Sequence, residues 1–214
     1  MSCPANQQSL GVMAALLALL WAGLSAHGED RWWEGEWSAP EMPNVSSPSW
    51  IYYRGGEITQ TEFLNIQSSV EESTASYTIT SDSGFWKPGP QGATVEFELR
   101  VNAMEGGHAC ALTVSGLGPE KNRAYAVFLG LNWVSFQNGP QIPFDEATFH
   151  KFRLTVTGEE AALYLDGQST PITTTTDYVV DTKSALSFGD LSGFGGGNVD
   201  WKQIRWTDKE AFTP

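Results

Sequence analysis

Apolar and polar residues alternate along much of this chain, most clearly at Ala93–Val101. Val95 and Phe97 are apolar, whereas Glu96 and Glu98 are charged. Because successive side chains of a β-strand point to opposite faces, this spacing predicts a strand with one buried and one polar face. Phe97 is therefore expected in the core.

The same alternation recurs between Gly, Pro, Asn and Asp residues, at intervals typical of β-sandwiches and barrels. A second clear segment is Phe149–Thr157, in which Leu154 falls on the apolar face. Gly158 then marks a turn, and the Asp166-Gly167 pair is a strong hairpin signal. We predict further strands at Glu57–Gln67, Ser76–Thr80, Cys110–Val114, Ala124–Leu129, Trp133–Gln137, Ala161–Leu165, Ala185–Phe188 and Val199–Trp206.

Strands that repeat one polar and one apolar face predict an all-β fold of two antiparallel sheets packed face to face. We expect residues 57–214 to form this sandwich as one domain. Residues 29–56 are rich in Trp and Pro and show no alternation. They predict an irregular N-terminal strap in which Trp32, Trp33, Trp37 and Trp50 cover a sheet edge. The alternative is that the strap docks on another chain, with Trp32, Trp33 and Trp37 exposed together.

Residues 1–28 contain no charged side chain, and an apolar run extends from Leu10 to Ala26. Its length suits the hydrophobic region of a secretory signal peptide better than a bilayer span of about 20 residues. The small residues Ala26 and Gly28 predict cleavage after Gly28. Because the leader lacks Lys and Arg, an uncleaved anchor is the alternative. No membrane span is expected after leader removal.

The chain carries 25 acidic and 12 basic residues, which gives a net charge of −13. An acidic surface without a basic cluster repels nucleic acid and anionic lipid, and this excludes nucleic-acid binding. Cys110 is the one cysteine after the leader, so the mature chain is expected to have no intramolecular disulfide.

Three segments carry a resemblance to a known family. They are ATVEFELRV at Ala93–Val101, TFHKFRLTVTGEEAALYLDG at Thr148–Gly167 and FGDLSGFGGGNVDWKQIRW at Phe188–Trp206. Together, in this order, they resemble laminin-G-like, concanavalin A-like lectin/glucanase domains. The resemblance covers most of the chain after Glu57 and implies a two-sheet jelly roll, although a fold alone does not fix a function.

Enzymes of this fold include retaining glycoside hydrolases that carry E-x-D-x-x-E on one strand, where one carboxylate attacks and another protonates the leaving oxygen. This chain has no such motif. Glu96 and Glu98 share a strand face, but Arg100 lies beside them, which indicates a charge-balanced, solvated face. We predict no catalytic residue. Gly193–Gly197 lacks the Lys and the helix of a phosphate loop and is predicted to be a turn.

Asp200, in VDWKQIRW, lies where the resemblance implies a structural Ca²⁺ in several relatives. Calcium typically takes six to eight oxygen ligands, and Glu57 with nearby backbone carbonyls is expected to supply some of them. The alternative is that Asp200 is an exposed carboxylate at the start of a strand.

Asn132 and Trp133 are the predicted ligand-binding residues. They follow Gly130 in a Gly-Leu-Asn-Trp segment, and an aromatic ring beside amide groups suits the stacking and hydrogen bonding of a sugar. The alternative places Trp133 in the core. His108 and Cys110 are too few for zinc, which needs three or four protein ligands, so we expect Cys110 in the core and His108 at its rim.

These features favour an exported, non-catalytic carbohydrate-binding or adhesive module, either secreted, periplasmic or at the cell surface. The expected partner is a polysaccharide or a glycoprotein glycan, and calcium is the one cofactor suggested. Two alternatives stay open. One is a glycoside hydrolase or polysaccharide lyase with a non-standard site at Glu96 and Glu98, and the other is a structural or interaction protein of the cell surface.

Overall fold

The structure is a computed structural model that describes residues 33–53, 55–71, 74–118, 120–145, 148–191 and 195–214. Glu34–Pro214 forms one compact unit. The predicted leader, its cleavage site and Trp32 lie outside the described residues. Within the described ranges, no helix is long and apolar enough to cross a membrane.

Sheet A contains eight strands. They are β1 (Gly35–Ser38), β3 (Glu57–Gln60), β4 (Leu64–Gln67), β6 (Ala93–Gly106), β11 (His150–Thr157), β12 (Glu160–Leu165), β13 (Thr173–Thr175) and β16 (Gly195–Thr207). Their order across the sheet is β13-β12-β11-β6-β16-β4-β3, and β1 pairs with β16 beyond the end of β4.

Sheet B also contains eight strands. They are β2 (Ile51–Tyr53), β5 (Ser76–Thr80), β7 (Cys110–Leu117), β8 (Arg123–Leu129), β9 (Trp133–Phe136), β10 (Ile142–Pro143), β14 (Val179–Val180) and β15 (Ala185–Gly189). Their order is β10-β9-β8-β7-β15-β5-β2, and β14 pairs with β8. All pairs in both sheets are antiparallel, which confirms the predicted all-β, two-sheet jelly-roll sandwich.

The apolar faces of the two sheets form one core. Phe97 and Leu154 are each 1% exposed, as the alternation predicts. Phe97 stacks on Phe152 with ring centroids 5.3 Å apart, and this contact joins β6 to β11. The Phe97–Phe152 contact therefore forms part of the core at the centre of sheet A.

The two longest strands, β6 and β16, pair along almost their whole length. The register shifts between Trp201 and Gln203, so Lys202 is the extra residue of a β-bulge. A bulge of this kind lets Trp201 and Ile204, three positions apart, both point into the core. Strict alternation does not permit that spacing.

The glycine-rich segment differs from its prediction. The turn expected at Gly193–Gly197 is wrong for Gly195–Gly197, which begins β16 and pairs with β6. A Cβ atom on Gly195 would lie 2.3 Å from the backbone oxygen of His108. These glycines are required because neighbouring backbone passes too close for a side chain.

The N-terminal strap is more regular than its sequence predicts. Trp37 lies in β1 and pairs with Ile204 of β16, while β2 follows Trp50 and extends sheet B. Trp37 and Trp50 are each 1% exposed, so both belong to the core and neither covers an edge or forms a docking surface. Strands of four and three residues are too short to show alternation.

Most predicted strands are confirmed, although their ends differ. Ser76–Thr80 matches β5, and Ala185–Phe188 matches β15 to within one residue. Glu57–Gln67, predicted as one strand, is instead the hairpin of β3 and β4, turned at Thr61 where its N–H donates to the Phe63 carbonyl.

Truncating the core is expected to destabilise the fold in proportion to the buried volume removed. Phe97→Ala and Leu154→Ala should lower the free energy of unfolding by about 2–5 kcal/mol each, because both leave a cavity. Thr157→Ala, at an exposed position of β11, is the matched control. Equilibrium urea unfolding measures the difference, and losses well under about 1 kcal/mol in the core variants would contradict the assigned faces.

Candidate functional site

Apart from Phe128 of β8, the outer face of the central strands of sheet B is built from short, uncharged side chains. They are Ser76 and Thr78 on β5, Ser187 on β15, Ala111, Thr113 and Ser115 on β7, and Ala124 and Ala126 on β8. The Thr78 and Ser187 hydroxyl groups are hydrogen-bonded across the strands at 2.8 Å. Short side chains leave space above these strands for a ligand.

Larger side chains rise at both edges of this face. Ile51 and Tyr53, on β2, are 49% and 50% exposed. On the opposite side, Val179, which pairs with Ala124, is 43% exposed. The face is therefore low in the middle and raised at its margins.

A depression of about 370 Å³ lies where β7 and β8 meet the β14 segment. Its described lining is Thr113, Ser115, Ala124, Tyr125, Ala126, Gln137, Val179, Val180 and Asp181. An adjoining pocket of about 20 Å³ shares five of these residues and is completed by Phe136, Asn138, Asp177 and Tyr178. We call the two pockets together the sheet B depression. Ala124, Ala126 and Gln137 belong to both parts, so the two parts are continuous.

The depression exists because β9 and β14 pair with different parts of β8. β9 pairs with Val127–Leu129, whereas β14 pairs with Arg123 and Ala124. Between them, the Gln137 N–H donates to the Ala126 carbonyl at 3.0 Å. Asn138 follows with φ 62°, a left-handed conformation that Asn tolerates, and it turns the chain away from the sheet.

A buried arginine supports the aromatic wall of the sheet B depression. The Arg123 guanidinium lies 4.8 Å from the centroid of the Tyr178 ring. It donates to the Glu159 carboxylate at 2.6 Å and to the Gly158 carbonyl at 3.2 Å. The Tyr125 hydroxyl donates to the Glu159 carbonyl at 2.9 Å, and burial raises the pKa of Tyr125. The β11–β12 hairpin of sheet A thus fixes the wall of a site on sheet B.

The lining offers hydrogen-bonding groups and an aromatic ring, and none of its described residues is Lys, Arg or His. Gln137 and Asn138 supply amides that both donate and accept, and Thr113 and Ser115 supply hydroxyls. In the described part of the chain, no group of three or more His, Cys, Asp or Glu is placed to hold a metal ion. This chemistry suits a polyhydroxylated ligand with an apolar ring face.

The predicted binding residues lie on the same sheet but at the other end of β9. Asn132 is exposed, and its carbonyl accepts from the Phe144 N–H at 3.0 Å. Trp133 is half-buried, and its indole lies against Gly130, where a Cβ atom would meet the indole nitrogen at 2.1 Å. Trp133 is thus not a core residue. Four strand positions, roughly 13 Å, separate it from Gln137.

The predicted solvated face at Glu96 and Glu98 is wrong for Glu96. Glu96 is only 3% exposed, although it lies on the outer face of sheet A. One carboxylate oxygen accepts from Arg205 Nε at 2.8 Å, and the other accepts from Arg153 Nε and Nη2 at 2.9 and 2.6 Å. Glu98 pairs with exposed Lys202 at 2.6 Å. Neither glutamate lines the sheet B depression.

Asp200 faces nitrogen donors on the outer face of sheet A. Arg100 Nη2 donates to it at 2.7 Å, and the Asn65 and Asn102 amides donate at 2.7 and 2.9 Å. Burial alone would raise the pKa of Asp200, but these hydrogen bonds outweigh burial and lower it. Glu57 is exposed at the start of β3, on the edge strand of the sheet. The calcium site at Asp200 and Glu57 stays a prediction.

The structure agrees with the predicted positions of Cys110 in the core and His108 at its rim. Cys110 is a free, buried cysteine in β7, and burial raises the pKa of its thiol. His108 is nearly buried, and its ring lies 4.7 Å from that of Phe128. Burial also lowers the pKa of His108, so the ring is uncharged at neutral pH.

A second groove, of about 310 Å³, crosses the outer face of sheet A. It lies between β12 and the C-terminal residues, and it includes Tyr164 and Phe212. The Phe212 N–H donates to the Thr94 hydroxyl at 3.0 Å, and the Phe212 ring lies 5.1 Å from the Arg153 guanidinium. We call this the sheet A groove.

Sequence reasoning missed the residues that surround the sheet B depression. Gln137 falls within a predicted strand, but its role depends on the gap beside β8. One signal was available: Tyr178, Val179 and Val180 form an apolar run flanked by Asp177 and Asp181. All three are exposed, which an ordinary buried strand would not allow.

The chain matches no protein-family model. No curated protein matches it in sequence. Solved structures share its fold: a carbohydrate esterase from Shiga toxin-encoding bacteriophage phi24B superposes with a TM-score of 0.55 and 14% identity, over 80% of this chain and 95% of the esterase chain. The β-glucanase of Bacillus licheniformis gives a TM-score of 0.53 and 16% identity, over 81% and 98% of the two chains.

A protein of unknown function with a galectin-like fold from Bacillus subtilis gives a TM-score of 0.50 and 11% identity, over 82% of this chain and 96% of that chain. At such identities the likeness shows the fold alone. The fold is the concanavalin A-like lectin/glucanase jelly roll that the three sequence segments resemble.

Neutralising Glu96 is expected to destabilise the protein strongly. Glu96→Gln keeps the side-chain shape but leaves the Arg153 and Arg205 guanidinium groups without its charge, which should cost about 3–5 kcal/mol. Glu98→Gln is the matched control and should cost about 0–1 kcal/mol, because its Lys202 partner is exposed. Urea unfolding at neutral pH measures both variants, and equal losses would contradict a structural role specific to Glu96.

Asp200 is expected to stabilise the fold above its unfolded pKa and to lose this effect as pH falls through its lowered folded pKa. Asp200→Asn should therefore be less stable than the wild type at neutral pH, and the two should converge below about pH 4. Urea unfolding across this range tests the prediction, with exposed Asp82→Asn as the control. A difference between wild type and Asp200→Asn that is constant with pH would contradict it.

Proposed function

We propose that Glu34–Pro214 is a glycan-binding module that holds its ligand in the sheet B depression. The observation that carries this proposal is the lining of the depression. Tyr178 lines the smaller pocket together with the Gln137 and Asn138 amides. Gln137 also lines the adjoining larger pocket, which has short side chains such as Thr113 and Ser115. An aromatic ring stacks on the apolar face of a sugar, while amides and hydroxyls bond to its hydroxyl groups.

The wall of the depression is pre-organised for this role. Arg123 lies against one face of the Tyr178 ring, and Arg123 is itself anchored to Glu159 and Gly158. A ring held in place before binding loses little conformational entropy when the ligand arrives. Two proteins that share the fold are, by their names, a β-glucanase and a carbohydrate esterase, which supports a carbohydrate ligand here.

Trp133 offers a second contact to a longer ligand. Trp133 begins β9 and Gln137 directly follows its last residue, so the two side chains, four positions apart, point to the same face of sheet B. We infer that an oligosaccharide lying along β9 reaches from the depression to the Trp133 ring. The partner is then a polysaccharide or an extended glycoprotein glycan.

Binding without cleavage fits the placement of the carboxylates. Paired glycosidase carboxyls are typically about 5–9.5 Å apart. Asp177 and Asp181, on the wall of the depression, are separated by four positions, roughly 13 Å of extended chain. Glu96 is held between two arginines on the opposite sheet. We propose an exported, non-catalytic module that acts in the secreted or cell-surface space which the predicted leader indicates.

The test is glycan binding by the purified protein and by a Tyr178→Ala variant, first on a glycan array and then by calorimetry with the best ligand. Loss of the stacking face should weaken binding about tenfold or more. Tyr53→Ala removes an equally exposed ring from the other edge of the same face and should leave affinity unchanged.

Three outcomes would contradict parts of the proposal. Binding to no glycan would overturn the function, and binding that Phe212→Ala abolishes but Tyr178→Ala does not would place the site in the sheet A groove. Release of reducing ends from a polysaccharide, lost in Glu98→Gln, would show an enzyme instead of a binding module.

A further inference from the structure

The charged residues in the described lining of the sheet B depression are both acidic. Asp177 and Asp181 stand on its wall, and none of the described lining residues is Lys, Arg or His. The described outer face of the central strands of sheet B adds hydroxyl-bearing and alanine side chains and Phe128, none of which is charged. A ligand in the depression therefore meets two carboxylates and no cation from the lining.

Arg123 contacts the aromatic wall but is paired with other groups. It is almost buried, its guanidinium lies 4.8 Å from the centroid of the Tyr178 ring, and it is paired with Glu159 at 2.6 Å. Arg123 is not among the residues that line the depression. Arg123 positions the ring and does not offer a charge to the ligand.

Local hydrogen bonds fix the position of the Asp181 carboxylate. The Asp181 N–H donates to the Asn122 carbonyl at 2.9 Å, and one Asp181 carboxylate oxygen accepts from the Lys183 N–H at 2.9 Å. On the other flank of Tyr178, the Asp177 N–H donates to the Thr175 hydroxyl at 3.0 Å. These local bonds hold both acidic residues beside the aromatic ring.

We propose that the sheet B depression selects uncharged saccharides and excludes those that carry a carboxylate or sulfate, such as uronates, sialylated glycans and sulfated glycans. This inference rests on the proposed glycan-binding function and names its ligand class. Neutral sugar hydroxyls donate to carboxylates and form charge-assisted hydrogen bonds. An anionic sugar at about 4 Å from one carboxylate loses about fivefold in affinity even at the dielectric of water.

The described arginine and lysine side chains on the outer face of sheet A lie next to carboxylates, which opposes anion binding there as well. Arg100 pairs with Asp200 at 2.7 Å, Lys202 pairs with Glu98 at 2.6 Å, and Lys151 lies 3.6 Å from Glu96. With a net charge of −13, the surrounding field opposes anionic ligands as well. Both the lining of the depression and the overall charge thus weaken the binding of anionic ligands.

The experiment compares matched glycan pairs that differ only in charge. Suitable probes are an N-glycan with and without terminal sialic acid, a galactan with and without sulfate, and an oligogalacturonate with and without methyl esterification. Affinities are measured by calorimetry for every uncharged member that the array identifies, and for its anionic partner. The wild type should bind the uncharged member about tenfold more tightly, and about 1 M salt should reduce this preference.

The variant Asp177→Asn/Asp181→Asn removes both carboxylates and keeps their size. It should raise affinity for the anionic member about fivefold while changing affinity for the uncharged member less than about threefold. Glu41→Gln/Glu62→Gln changes the net charge equally at two exposed positions outside the depression and should leave the preference intact.

The outcomes separate this inference from the function on which it rests. If wild-type protein binds both members of each pair equally and Tyr178→Ala abolishes both interactions, the module binds glycans but the charge selection is wrong. If Glu41→Gln/Glu62→Gln reduces the preference for the uncharged glycan as much as Asp177→Asn/Asp181→Asn does, the overall charge of the protein causes the selectivity and the lining of the depression does not. Binding to neither member of any pair overturns the function and the selectivity together.

Discussion

The buried carboxylate of Glu96 ties together the three central strands of sheet A. It receives Arg153 from β11 and Arg205 from β16, and all three side chains are nearly buried on a face that would otherwise be open to water. A slip of one residue in either pairing would turn these charges toward the core, so the ion pairs specify the register. Because the other edge of β16 carries both β4 and β1, the placement of the N-terminal strap depends on the same register.

The two outer faces of the sandwich have opposite chemistry. On sheet A, charges pair across neighbouring strands, as Arg100 does with Asp200 and Lys202 does with Glu98. Charged side chains that are already paired with each other gain little free energy from hydrogen bonds to a neutral ligand. On sheet B, short uncharged side chains lie between larger ones, and the amides and hydroxyls line an open depression. The first face makes a rigid scaffold, and the second is the face suited to recognition.

The outer faces of sheet A and sheet B are physically connected at one end of the sandwich. The β14 segment belongs to sheet B, yet the arginine beneath its tyrosine is anchored to Glu159 in the β11–β12 hairpin of sheet A. The Tyr125 hydroxyl bonds to the same hairpin from the core side. The position of Tyr178 on one sheet therefore depends on the geometry of the other, and a substitution at Glu159 would act on Tyr178 from outside the sheet B depression.

The sequence by itself determined the class of fold and the strands that alternate, because side-chain period in a strand is a local property. Phe97, Leu154 and Cys110 were placed in the core on that basis alone. Glu96 and Trp37 were not placed among the buried residues. Glu96 is buried by arginines that lie 57 and 109 positions away in the chain. Trp37 is buried because its short strand pairs with β16. The sheet B depression depends likewise on the pairing of Val179 with Ala124. Pairings between distant segments decide which polar residues meet, and no local pattern records them.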